Sequence, residues 1–223
     1  MINSMVFLKK YFFIFISLML ASMVFVYNFD LPISEFIFQS KAIEFDTNRL
    51  MYNYPIIVSE DFLAVIVLVL LSGFIVLLKF KRNINIYVVL MYLIIGLFVT
   101  IEIKSGLKFF FGRCVPNLWL SHKCNLGAGL YPFNWKSGID HEGSFPSGHC
   151  VIITYCLVWI DYFLPKHKIL LMIFLIITVL LLVLLKFHFL GDCFAGTAFG
   201  YICAAIVISL YKILHWKDNS EII

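Results

Sequence analysis

The stretch KILLMIFLIITVLLLVLLK, residues 168–186, decides how the whole chain is read. Between its two bounding lysines every side chain is apolar except Thr178, and no stripe or alternation gives one face to water. A helix needs about 20 apolar residues to cross the hydrocarbon layer, and one that is apolar all round is buried in protein or in lipid. The rest of the chain argues for lipid. Of 223 residues, 62% are hydrophobic and only 13% charged, with a mean hydropathy of +0.98. A soluble globular domain is excluded.

Working outward, the block at 168–187 is one of six. The others lie near 9–28, 62–79, 84–103, 149–165 and 192–213, separated by charges, Pro or Gly. The expected fold is an all-α polytopic membrane protein with six transmembrane helices, in a single membrane-embedded domain over 1–223 without repeats or linkers. The first block follows Lys9 and Lys10 as a signal peptide would, but it is long and no small-residue cleavage site follows Val26-Tyr27. It reads as a retained signal anchor.

Six crossings put Lys9, Lys10, Lys79, Lys81, Arg82, Lys166, Lys168, Lys212 and Lys217 on one side, nine of the seventeen Lys and Arg residues. The only acids there are Asp161, Asp218 and Glu221. The positive-inside rule makes that side, and both termini, cytoplasmic. The net charge of +4 thus reports topology; without a dense basic run it gives no reason to expect nucleic acid. Cys150, Cys156, Cys193 and Cys203 fall inside apolar blocks, so the cysteines are no secreted disulfide framework. Cys114 and Cys124 sit in an outer loop, where a disulfide and two free thiols are both open readings.

Two long connections face outward. Residues 29–61 mix Phe36, Phe38 and Phe45 with Lys41, Asp46 and Arg49, as an interfacial segment does. Residues 104–148 are rich in Gly, Pro, Trp and Asn and longer than a bundle connection requires, which points to function.

Three clusters gather at these outer ends: Lys108 to Arg113 and Pro116; Ser144-Phe-Pro146-Ser147-Gly148-His149; and His188 to Asp192. The middle one reads as a helix start, with Ser147 as cap and Gly148 permitting close approach. Its free N–H groups and positive dipole suit a phosphate, toward which His149 would carry a proton. An ordinary capped helix with an interfacial histidine reads equally well. His188 and Asp192 are four apart, hence on one face if helical. A carboxylate there would support a nucleophilic imidazole, or simply form a structural bond. Lys108 and Arg113 offer a point charge and a planar fork for phosphate oxygens, or contacts to anionic lipid heads. The histidines lack zinc-site spacing, so no metal is expected.

Together the clusters resemble the phosphatidic-acid phosphatase type 2 superfamily, whose signature is K-x6-R-P, P-S-G-H and S-R-x5-H-x3-D. Pro146–His149 match the second motif in full, and His188 and Asp192 match the end of the third. The resemblance implies a metal- and cofactor-free lipid phosphatase of the bacterial inner membrane with its site facing the periplasm. Lys108 would bind phosphate, Ser147 and Gly148 would cradle it, His149 would protonate the leaving oxygen, His188 would attack phosphorus and Asp192 would orient His188. Two departures stand out. Val115 occupies the first-motif arginine position, leaving that role to Arg113; Leu181 and Leu182 occupy the Ser and Arg positions of the third. On a continuing helix, Lys186 would share a face with Leu182 and either supply the missing cation or snorkel.

The partner implied is a phosphorylated membrane lipid. Lipid A is preferred because Trp119, Tyr131, Phe133 and Trp135 could seat a bulky saccharolipid; undecaprenyl pyrophosphate and phosphatidylglycerophosphate are the alternatives. A non-catalytic phospholipid-binding or transport protein is the reading from another class. Against it stand the lack of paired broken helices and of an ionisable residue deep in a span, Glu102 lying at a helix end. Oligomeric state is not legible.

Overall fold

The computed structural model describes residues 2–39, 86–120, 133 and 143–214, and all the regular structure within them is helical. In chain order the helices are α1 (Ile2–Asn28), α2 (Asp30–Gln39), α3 (Ile86–Phe111), α4 (Pro116–Leu120), α5 (Gly148–Phe163), α6 (Lys168–Leu184) and α7 (Leu190–Leu214). A 3₁₀ turn, Pro165–His167, joins α5 to α6. Five of the six apolar blocks are therefore helices, and the block at 62–79 lies outside the described residues. Among the described residues, four apolar stretches are long enough to cross a membrane: Met5–Asn28, Tyr87–Leu120, Pro165–Leu184 and Leu190–Leu214. The apolar α5, with 16 residues, is shorter than a full crossing.

Three boundaries differ from the sequence reading: α1 begins at Ile2, seven residues before the apolar block, and two helix ends differ for local reasons. α3 runs eight residues past 103, because no proline lies between Lys104 and Phe111 and the single Gly106 is tolerated within the helix; it stops where Gly112 takes a left-handed φ of 54°. Lys108 accordingly sits on the last turn of a helix and not in a loop. At the other junction α6 ends at Leu184, and Lys186 itself has a φ of 62°.

The spine of the bundle is α7, which packs most extensively on α1 and α5 and also on α3. Its buried face is built of small residues, Gly191, Ala195, Gly196, Gly200, Ala204 and Ala205, which let helix backbones approach closely. At Gly200 an added Cβ would stand 2.6 Å from the Val151 carbonyl oxygen on α5. Below this seam lies the main core around Trp159, Tyr155, Ile152, Leu93 and Ile208. α6 shows the opposite character: Leu170, Ile173, Phe174, Ile177, Leu180 and Leu181 are all exposed, a face that suits lipid. α1, α3 and α6 run one way and α5 and α7 the other, so the ends of the first three meet the starts of the last two at one end of the bundle.

Candidate active site

The three sequence clusters meet at that end. The Ser144–Ser147 segment is held from both sides: Ser144 N–H donates to the Arg113 carbonyl at 2.6 Å, and Ser147 N–H to the Asp192 carbonyl at 3.0 Å. Ser147 is the N-cap of α5, its Oγ accepting from Cys150 N–H at 3.4 Å. His149 thereby stands in the first turn of α5. Its Nδ1 lies 3.4 Å from Nε2 of His188, with the rings 5.5 Å apart and steeply inclined at 67°. His188 is buried, whereas His149 is partly exposed.

The other side of the His188 ring is fixed by Ser144. Nδ1 of His188 is 3.1 Å from the Ser144 carbonyl oxygen and 3.4 Å from its Oγ. A carbonyl only accepts, so the closer contact requires a proton on Nδ1 and leaves the lone pair on Nε2, facing His149. The expectation that His188 and Asp192 share a helix face is corrected here. α7 begins at Leu190, so His188 precedes it, in the turn that follows α6. The Asp192 carboxylate reaches the histidine through Ser144, whose Oγ donates to Oδ2, and it also accepts from Phe189 N–H at 3.1 Å.

Arg113 is the largest polar group in the interior, 1% exposed. One amino group pairs with Asp192 Oδ1 and the other with Asp30 Oδ2 at 3.0 Å. Phe189 lies beneath the guanidinium at 4.3 Å and Phe133 at 5.8 Å. The fork that was expected to face phosphate thus holds two carboxylates together. Asp30 also accepts from Gly191 N–H at 2.9 Å, and Gly191 must be glycine, since a Cβ would stand 2.6 Å from Asp30 Oδ2. Burial pushes the Asp30 carboxyl above its ordinary range; Arg113 pulls it back and the like charge of Asp192 adds to the rise. Ser22 of α1 closes the group by donating to the Gly191 carbonyl at 2.8 Å.

Lys108 lies half-buried on the last turn of α3, where a Cβ added at Gly143 would stand 3.1 Å from the Lys108 Cβ. Lys186 is placed differently from the helical argument. Because α6 ends two residues earlier, its side chain does not follow the Leu182 face; the ammonium lies 5.1 Å from the centroid of the Phe38 ring on α2. Phe133 is corrected too, being 5% exposed and packed with Phe111 and Phe145. It cannot line a substrate surface. Tyr131, Trp135 and Cys124 lie outside the described residues. Cys114 is disulfide-bonded, and Cys150, Cys156, Cys193 and Cys203 are free.

The sequence gives no role to Asp30 or to Ser144. Ser144 heads the middle cluster and had that cue. Asp30 had only its place, an acid directly after the first apolar span, 83 positions from the arginine it meets.

A model of the PAP2 superfamily matches residues 85–216, more than half of the chain. The chain belongs to the PAP2 superfamily. Members of the PAP2 superfamily are phosphatases acting on phosphorylated substrates. The PAP2 match begins one residue before α3 and runs through α7, so it contains both histidines, Arg113, Ser144 and Asp192. Asp30 and Ser22, on α2 and α1, stand outside it. No match is found among the curated proteins or the solved structures.

Proposed function

We propose that this chain is an integral membrane phosphatase that removes a phosphate from a lipid headgroup through a phosphohistidine on His188, at the periplasmic face of a bacterial inner membrane. The observation that carries the reading is the His188 ring, buried and held at Nδ1 by the Ser144 carbonyl, with Nε2 turned toward His149.

In the first step the Nε2 lone pair of His188 forms a bond to phosphorus as the bond from phosphorus to the lipid oxygen breaks. His149 gives its proton to that oxygen. In the second step a water oxygen attacks phosphorus, its proton passes to His149, and the bonding pair returns to Nε2 as phosphate leaves. Lys108 and the first turn of α5 at Gly148 bind the phosphate oxygens, where charge develops, while Ser147, its N–H given to the Asp192 carbonyl, fixes that turn in place. Arg113 and Asp30 act one layer behind, holding Asp192 and hence Ser144 in register. Lys186 takes no phosphate role in this scheme, because its ammonium lies over Phe38. No metal enters either step.

Within the class of phosphorylated lipids, lipid A is the substrate to try first, with undecaprenyl pyrophosphate and phosphatidylglycerophosphate beside it. The support for a bulky headgroup is narrower than the sequence suggested, since Phe133 is packed inside and Trp119 on α4, the other described aromatic of that set, is only partly exposed.

The test uses the purified full chain and each lipid carrying a radioactive phosphate. Wild type should release phosphate and, after rapid acid-free quenching, carry a base-stable, acid-labile label. His188→Ala should do neither while melting at the wild-type temperature. Lipid binding without phosphate release by the wild type would instead make the chain a phospholipid-binding protein.

A further inference from the structure

The end of the bundle opposite the histidines carries a second polar group of residues. There α1, α5, α6 and α7 leave a cavity of about 60 Å³. Along α5 the distance from His149 to Asp161 is twelve residues, about 18 Å of helix, so the two places are separate. The cavity is lined by Lys10 and Tyr11 of α1, Asp161 of α5, Lys168 and Leu175 of α6, and Tyr201 of α7. Lys10 and Lys168 are exposed at its mouth, while Tyr11 and Leu175 are buried at its floor. The ring of Tyr11 lies 5.5 Å from the Lys10 ammonium, keeping that charge at the rim.

One atom here is at odds with its surroundings. Asp161 Oδ1 is closed off from solvent and has no hydrogen-bond partner among the described residues. Both lysines act on Asp161 through space, yet neither donates to this oxygen. A carboxylate oxygen withdrawn from water without a donor is costly, so the geometry calls for a donor from beyond the described residues, and a bound ligand can supply it. The best match for a carboxylate is a cationic N–H, because a charge-assisted hydrogen bond is the stronger kind. The two lysines beside it suit an anion with several oxygens. A phosphoethanolamine group carries both, an ammonium and a phosphodiester two carbons apart. The space holds roughly four or five water-sized groups, enough for an aminoethyl arm and too little for a sugar. The exposed apolar face of α6 adjoins the mouth and offers a bed for acyl chains.

We propose that this cleft seats the headgroup of an ethanolamine phospholipid, with its ammonium on Asp161 and its phosphodiester between Lys10 and Lys168. The proposal is independent of the hydrolytic reading, since none of these residues belongs to the histidine site. The lipid held here is a resident ligand of the fold, in the leaflet away from the histidines.

The test is native mass spectrometry of the full chain after exposure to detergent micelles holding equal amounts of phosphatidylethanolamine, phosphatidylcholine and phosphatidylglycerol. Phosphatidylcholine has the same charges but no N–H to give, and phosphatidylglycerol is anionic without a cation. Wild type should retain phosphatidylethanolamine about tenfold over phosphatidylcholine, the scale of one charge-assisted hydrogen bond. Asp161→Asn should bring the first down to the level of the second and leave phosphate release within about twofold of wild type. Lys168→Gln should weaken retention of both alike, which keeps the proposal testable if the asparagine variant does not fold. Equal retention of the two zwitterionic lipids by wild type, a preference for phosphatidylglycerol, or an ethanolamine preference that survives Asp161→Asn would each overturn it.

Discussion

Gly196→Ala is the substitution that asks most of the site, because it adds one methyl group where two helices touch. A Cβ at Gly196 would stand 2.3 Å from the Ser147 carbonyl oxygen and 2.9 Å from Cys150 Cβ. To reach even 3.0 Å the oxygen contact must open by 0.7 Å. The oxygen cannot swing aside on its own, since it accepts the first hydrogen bond of α5 from Val151 N–H at 3.0 Å. The start of α5 must therefore shift as a unit, and His149 is in its first turn. Overpacking of this kind costs about 1–3 kcal/mol, or roughly 2–12 °C of melting temperature for a chain of this size. A displacement near 1 Å at a reacting group costs about 10²-fold in rate. The expected outcome is a folded protein, melting a few degrees lower, whose phosphate release falls by about two orders of magnitude. Gly106→Ala is the control: its Cβ meets nothing within 4 Å, so turnover should hold and the helix should gain about 0.8 kcal/mol. A folded Gly196→Ala protein with wild-type turnover would refute the claim that α7 fixes the position of His149.

Other expectations concern the groups around Asp192. Arg113→Lys should lose nearly as much turnover as Arg113→Ala, because a single ammonium cannot bridge Asp30 and Asp192 as the two amino groups do; near-normal hydrolysis by the lysine variant would make charge alone sufficient. Ser144→Ala keeps the carbonyl that holds His188 but removes the link to Asp192. It should lower kcat about tenfold with KM unchanged, the scale of one hydrogen bond, and a rise in KM alone would move Ser144 to substrate binding. Treatment with EDTA should leave phosphate release intact, and a loss restored by one divalent ion would call for a metal-assisted mechanism.

The helices and the chemical centre were legible in the sequence for different reasons. Unbroken apolar runs announce a membrane helix wherever they occur, so α1, α3, α5, α6 and α7 could be placed to within a few residues at most ends. Ser147, Gly148, His149, His188 and Asp192 fall in ordered motifs, and the fold brings them to one end. What could not be read is what depends on where the chain bends. No Gly or Pro marks the exit from α6, so Lys186 was placed on a helical face that ends at Leu184. The partnership of Arg113 with Asp30 joins residues 83 apart, and nothing local to either one signals it. Phe133 illustrates the converse: an aromatic in a loop reads as surface until Arg113 and Phe145 are found beside it.

The pairing of Arg113 with Asp30 bears on how the gene could be cut. A polypeptide trimmed to residues 85–216, the extent of the family match, would look complete by homology and would retain both histidines. It would nevertheless strip one of two acids from a guanidinium that has no water around it, and remove the hydroxyl that caps the Gly191 carbonyl. Leaving a charge buried without its partner commonly costs about 3–5 kcal/mol, a large share of what holds any domain together. The unit that evolution repeats and the unit that can stand alone thus have different borders here, and a minimal version for engineering has to begin upstream of Ser22.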